Sequence, residues 1–168
     1  MTSITFHGGV NEIGGNKILI ESPKAKIWLD FGLSFHKQGL YYDEWTNPRK
    51  YNGLTDYFEL GLLPQVKGLY RSDFLKKSGV KEQKLEHDAV FLSHAHADHV
   101  GANGKIKESS GAPLLIHKGD SDFLTSEANR EMAAFYGVSP SPRADRLLSD
   151  GDMIEICHDV IFKVIHTP

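Results

Sequence analysis

The stretch Ala89-Val90-Phe91-Leu92-Ser93-His94-Ala95-His96-Ala97-Asp98-His99 decides how this chain is read. Its first four residues form a short, continuously apolar run, the pattern of a strand buried on both faces. Three imidazoles and a carboxylate then fall within the six residues His94 to His99. In an extended segment alternate side chains point the same way, so His94 and His96 can grip one metal ion together. Asp98 and His99 come where the chain turns toward a helix, and they offer a second pair of ligands. Imidazole nitrogens bind zinc at about 2.0–2.1 Å and carboxylate oxygens at about 2.0–2.2 Å. Ala95 and Ala97 put nothing bulky between these steps, and the preceding strand gives the rigidity that metal geometry needs. The alternative, surface histidines with no metal, leaves this density of ligands without a purpose. The mid-chain position excludes a purification tag.

Before the motif, the first thirty residues read as three short strands, Ser3 to Phe6, Lys17 to Ile20 and Lys26 to Leu29, the last leading into Asp30. Between the first two lies Gly8-Gly9-Val10-Asn11-Glu12-Ile13-Gly14-Gly15, a tight connection or a backbone that a ligand approaches closely. It lacks the G-x-x-x-x-G-K-[ST] pattern of a nucleotide P-loop. Residues 31–87 carry Gly, Tyr, Pro and charge with little sustained period, apart from a short helix at Asp73 to Lys77 with Ser72 as a cap. The aromatics Phe35, Tyr41, Tyr42, Trp45, Tyr51, Tyr57 and Phe58 are expected to pack this region down. Arg49, Lys50, Arg71, Lys76 and Lys77 offer phosphate contacts, although a solvated face explains them more cheaply.

After the motif, the pattern predicts a helix over Gly104 to Ser109 and a buried strand over Pro113 to Ile116. One helix follows from Gly119 to Tyr136, with Gly137 as its stop, then a loop at 139–143. A hairpin of Met153 to Ile156 and Val160 to Ile165 closes the chain across residues 157–159. The order of strands and helices is that of an α/β layered domain. His7 and His117 are read as satisfied strand-end histidines, and nothing catalytic is read at Cys157 or His158.

Bulk properties set limits. The 168 residues fit one domain, with 40% hydrophobic and 24% charged residues. A net charge of −3 argues against a chain coated for nucleic-acid binding, without excluding a local basic groove. The single cysteine rules out an internal disulfide and a thiolate zinc cluster. No apolar run is long enough to span a bilayer and no signal peptide is read at Met1 to His7, so a cytoplasmic protein without membrane contact is expected.

The H-x-H-x-D-H pattern after an apolar strand resembles the signature of the metallo-β-lactamase superfamily. The resemblance implies an αββα sandwich, of which this chain would be the N-terminal part: one domain over 1–168, incomplete at its C-terminus, with an insertion at about 34–87. It assigns His94 and His96 to a first metal, and Asp98 and His99 to a second. Asp30, before Phe31-Gly32, matches an early aspartate that buttresses the site, although turn statistics alone also explain it. Asp98 and Asp30 are the residues it implies for catalysis. The metals it implies are zinc, two ions in the complete protein, with manganese as an alternative. The end Val164-Ile165-His166-Thr167-Pro168 resembles the start of a family loop whose ligand histidine would come two residues later, so a truncated chain is expected.

Residues 4 to about 101 resemble the β-CASP branch, in particular ribonuclease J-like proteins, through Phe6-His7-Gly8-Gly9-Val10-Asn11-Glu12-Ile13-Gly14-Gly15-Asn16 and Leu29-Asp30-Phe31-Gly32. That implies a nuclease acting on RNA or DNA. Residues 103–168 are closer to glyoxalase II-like thioester hydrolases, through Gly111 to Lys118 and Asp145 to Asp152. The chain is thus an unusual single member or a join near Gly101 to Asn103. A metal-binding fragment without turnover is the third reading, and a homo-oligomer is left open.

Overall fold

Alternation in the first strand and short apolar, β-branched-rich runs in the next two build three strands where the sequence places them. In the computed structural model β1 is Ser3–Gly8, β2 Lys17–Glu21 and β3 Lys26–Phe31. They form an antiparallel meander, with Ile4 opposite Ile20 and Leu19 opposite Trp28. β4, Ala89–Phe91, adds to β3 and completes a four-stranded sheet in the order β1-β2-β3-β4. The structure describes residues 1–12, 14–32, 34–42, 46, 49–81, 83–135, 138–157 and 160–167, without the side chains of Lys50, Asp98, Lys105, Ser109, Ser110 and Cys157. It divides into two units, Met1–Val90 and Phe91–Pro168.

In the first unit Trp28 is fully buried, with Leu19, Ile27, Leu62 and Leu75 also buried. The ring of Trp28 packs against His7 at 5.3 Å, Phe31 at 5.1 Å and His87 at 5.8 Å. Its Nε1–H donates to His87 Nδ1 at 3.0 Å, while His87 Nε2 faces the Lys67 carbonyl at 3.2 Å. An indole can only donate, so His87 carries its proton on Nε2 and satisfies both neighbours. Backbone and side chain of Asp88 bond to both main-chain groups of Lys26, which fastens the start of β3 to the segment before β4.

The 31–87 region is more regular than its sequence suggests. It holds α1 (Phe35–Tyr41), one 3-10 turn (Lys50–Asn52), α2 (Thr55–Glu59) and α3 (Ser72–Lys77). These helices are too short for a period to stand out, and only α1 begins with a side-chain cap bond. Ser34 Oγ accepts from Lys37 N at the start of α1. Asp56 is buried, and Arg49 meets it with its backbone N–H, Nε and Nη2 at 2.9, 3.0 and 2.6 Å. These bonds hold the Asp56 carboxyl well below the usual carboxylate range. Ser72 lies inside α3, and Arg71 is the capping residue without a side-chain cap bond. The aromatics divide. Phe58 packs edge-on to Tyr70, whose hydroxyl donates to the Pro64 carbonyl, whereas Tyr41 and Tyr51 are exposed. Trp45 lies outside the described residues. Arg71 is committed to Asp73 and lies over the Phe74 ring, which favours the solvated-face reading of that basic group.

The second unit contains α4 (Ala97–Val100), α5 (Asn103–Ser110), β5 (Leu115–His117), α6 (Ser121–Leu124), α7 (Glu127–Phe135), β6 (Arg146–Leu148), β7 (Met153–Cys157) and β8 (Val160–Lys163). β5 and β6 pair in parallel, and β7 and β8 form the expected hairpin. β6 was not foreseen, because three residues are too few to show alternation. The helix expected from Gly119 to Tyr136 is two helices. Ser126 Oγ accepts from Asn129 N at 3.2 Å, so a local side-chain bond starts α7 afresh after Thr125. Tyr136 and Gly137 lie outside the described residues, as do His158 and Asp159 of the hairpin turn. The apolar run at 89–92 contains a strand, but it is not buried on both faces: Val90 is exposed.

Candidate metal centre

The histidine turn is built by alternation. His94 is exposed, Ala95 buried, His96 exposed and Ala97 buried, after which the single helical turn α4 begins. His96 is the residue before that turn, extended at φ −64° and ψ 147°, and its carbonyl accepts from His99 N at 3.0 Å and Val100 N at 3.1 Å. The alanines are anchors as well as spacers. Ala95 packs with Val100 and Leu124 in the core of this unit, and Leu92, Leu114, Ile116, Phe123 and Ala144 pack on that cluster. Each methyl driven inward leaves the adjacent imidazole facing out.

Three of the four motif residues have described side chains, and their rings are gathered. The His94 ring lies 4.7 Å from that of His96 and 4.0 Å from that of His99. His96 also meets Phe123 edge-on at 5.7 Å. Asp98 lies in α4 between Ala97 and His99, with its side chain outside the description. Among the described residues no three His, Cys, Asp or Glu groups converge to hold a metal ion by themselves. The donor chemistry, three imidazoles on one outward-facing turn with a carboxylate in the same turn, fits a divalent cation; the inter-ring spacing places His94 at the middle of the group. Ser93 Oγ lies 2.7 Å from His94 Nδ1. If Nδ1–H donates to that hydroxyl, Nε2 keeps its lone pair for a metal, the usual way a neighbouring group fixes a ligand tautomer.

A residue that sequence reasoning missed holds this turn from behind. Asn129, on α7, is buried, and its Nδ2 donates to the carbonyl of Ala95 at 2.9 Å and that of Leu124 at 3.1 Å. It thus fixes the peptide between the first two histidines. The available signal was an asparagine on the buried face of a helix, a costly choice without a partner. Its Oδ1 has no partner in the structure. Gly101, next after α4, allows close packing: a Cβ there would fall 2.6 Å from Val138 Cβ.

Asp30 is described with the first unit, at the penultimate position of β3. It is buried, with φ +55°, a left-handed backbone that aspartate tolerates better than most residues. His7 packs on Trp28, as a strand-end structural histidine would. His117 ends β5, and its ring stacks on His166 at 3.9 Å and 13°, a pairing that separation along the chain hides. Its Nδ1 accepts from Gly119 N.

No described helix is long and apolar enough to cross a membrane. The family model of the metallo-beta-lactamase superfamily matches residues 12–168. An uncharacterized protein of Aquifex aeolicus is 38% identical over 79 residues, covering 47% of this chain and 37% of that protein. Ribonuclease J of Helicobacter pylori is 32% identical over 111 residues, covering 66% of this chain and 12% of that protein. The chain therefore spans little more than a third of one of these relatives and about an eighth of the other. A crystal structure of a protein of unknown function from Enterococcus faecalis superposes with a TM-score of 0.52 at 26% identity, over 93% of this chain and 35% of that one. With the outward histidine turn, its inward alanine anchors and a family match over almost the whole sequence, this chain belongs to the metallo-beta-lactamase superfamily.

Proposed function

We propose that this chain carries the metal-binding part of a hydrolase that cleaves phosphodiesters, with RNA as its substrate and zinc, or alternatively manganese, as its metal. The observation that carries the reading is the gathering of His94, His96 and His99 on one outward-facing turn, with Asp98 in the same turn. The similarity to a ribonuclease J supports the choice of substrate, and family membership supports hydrolysis. His94 and His96 would hold the first ion, and Asp98 and His99 the second. Bound there, such metals lower the pKa of water and stabilise charge developing on a phosphoryl oxygen.

The chain's own residues have defined tasks in this scheme. Ser93 fixes the His94 tautomer, and Asn129 fixes the Ala95 peptide so that the two imidazoles keep their relative pose. Asp98 supplies the anionic ligand. Asp30, buried and held in a left-handed conformation, is the buttressing carboxylate of the reading.

The test is hydrolysis of a single-stranded RNA oligonucleotide with zinc or manganese added, compared with a generic acyl-thiol substrate. The expected result is metal-dependent RNA cleavage that falls roughly a hundredfold or more in His96→Ala, with no thioester turnover. Cleavage of the acyl-thiol alone would replace the nuclease reading with a thioesterase. Turnover of neither would leave a metal-binding chain without activity and sink the proposal.

A further inference from the structure

β2 begins with a lysine where its pattern calls for an apolar residue. Lys17 lies two positions before the buried Leu19, and it is itself buried, at 4% exposure. The register shifts at this residue on both sides, between Phe6 and Gly8 of β1 opposite it and between Lys17 and Ile18 against β3. Such irregularities locally interrupt the ladder at the end of a strand. The inward-facing Lys17 lines a pocket of about 230 Å³ in the first unit, together with His7, Glu12, Ser34, Lys37 and Leu62.

A buried ammonium needs an anion, and among the described residues this one has none in contact. Its hydrogen bond is a long 3.4 Å reach to the Gly15 carbonyl, and it lies 5.7 Å from the centroid of the Phe31 ring. Glu12 is near enough to be felt by Lys17, but its carboxylate is committed elsewhere. Oε1 accepts from Gly9 N at 2.9 Å and Oε2 from Ser34 Oγ at 2.7 Å. The glycine turn therefore spends its own carboxylate on its backbone and leaves the lysine facing the pocket. Two ammonium groups, from β2 and from α1, against one carboxylate leave the lining one positive charge in excess. A buried charge left unpaired is costly, and a lysine is kept in such a place when something charged meets it.

We propose that this pocket is an anion-binding site that takes a phosphate-type oxyanion, with Lys17 as its direct ionic partner and Lys37 at its rim. A tetrahedral oxyanion fits donors arriving from separate elements, because its oxygens point in several directions, whereas a carboxylate presents its two in one plane. The site lies wholly within Met1–Val90 and does not depend on the histidine turn or on the hydrolase reading.

The experiment is calorimetric titration of inorganic phosphate into the chain with chelator present, and acetate as the planar comparison. Phosphate is expected to bind more tightly than acetate, and roughly tenfold or more weakly to Lys17→Met than to the unmodified chain, the loss of one charge-assisted contact. His96→Ala should bind phosphate unchanged, and loss there would move the anion to the histidine turn and overturn the proposal. No phosphate binding to the unmodified chain would overturn it, as would equal binding by a folded Lys17→Met. If Lys17→Met does not fold, Lys37→Gln decides: severalfold weaker binding supports the site, and unchanged binding removes it.

Discussion

The glycine turn at 8–16 and the histidine turn at 93–99 both follow a strand and both carry polar side chains, yet they place them in opposite directions. In the first, Glu12 reaches back to Gly9 and across to Ser34, and a lysine is drawn into the interior. Positive φ at Gly9 and Gly15 makes this possible, and a Cβ on Gly9 would collide with Asn16. In the second, Ala95 and Ala97 are buried while His94 and His96 are exposed and His99 is half-buried. The lesson is that a polar turn can be fixed from within, by its own carboxylate, or from behind, by packing and a single asparagine. The first arrangement encloses a charge, and the second presents imidazoles.

The deepest break in this comparison should come from the core beneath the first turn. Trp28→Ala removes a fully buried ring and leaves His87 Nδ1 without its donor, so it should cost about 3–5 kcal/mol in urea unfolding. Ala97→Leu attacks the second turn in the reverse way, by adding volume at a position only 1% exposed. Overpacking there should cost about 1–3 kcal/mol, and retained metal per chain, measured by elemental analysis, should fall with it. A histidine turn that kept its metal with a leucine at 97 would show that the alanine anchors do not set the ligand pose.

Asn129→Ala should be milder, about 1–2 kcal/mol. It removes two buried hydrogen bonds, but it also removes the unpartnered Oδ1. Zinc affinity should drop roughly tenfold, as for other groups that orient ligands without touching the metal. An unchanged affinity at equal loss of stability would mark Asn129 as structural only.

The smallest effect belongs to Glu12. The Ser34 hydroxyl first, then the Gly9 amide, hold its carboxyl below the ordinary value of 4.5. The folded state thus releases this proton more readily than the unfolded chain does. The contribution is full above the ordinary value and is lost as pH falls through the lower folded value. Glu12→Gln should therefore flatten the acid side of the melting-temperature profile below about pH 4.5 and leave the neutral side less stable. The same acid slope in both proteins would remove the carboxylate from this account.

Strands β1 to β3, the β7–β8 hairpin and the histidine motif were legible because each rests on local alternation or on rare residues close together. The short helices at 35–59, the break between α6 and α7 and the three-residue β6 were not, since each is too short or too locally interrupted for a period to show. The continuous apolar run at 89–92 also gave the wrong burial for Val90, because such a run cannot say whether both faces of its strand are covered.

By itself the sequence determined the superfamily, and it proposed His94, His96, Asp98 and His99 as ligands, because ligand chemistry and spacing are written in contiguous residues. Tertiary structure alone decided that Asn129 holds the Ala95 peptide, that His117 stacks on His166, and that Lys17 faces a pocket without an anion in contact. Each of these joins residues far apart in the chain or depends on what the fold packs around a side chain. Local pattern carries neither kind of information.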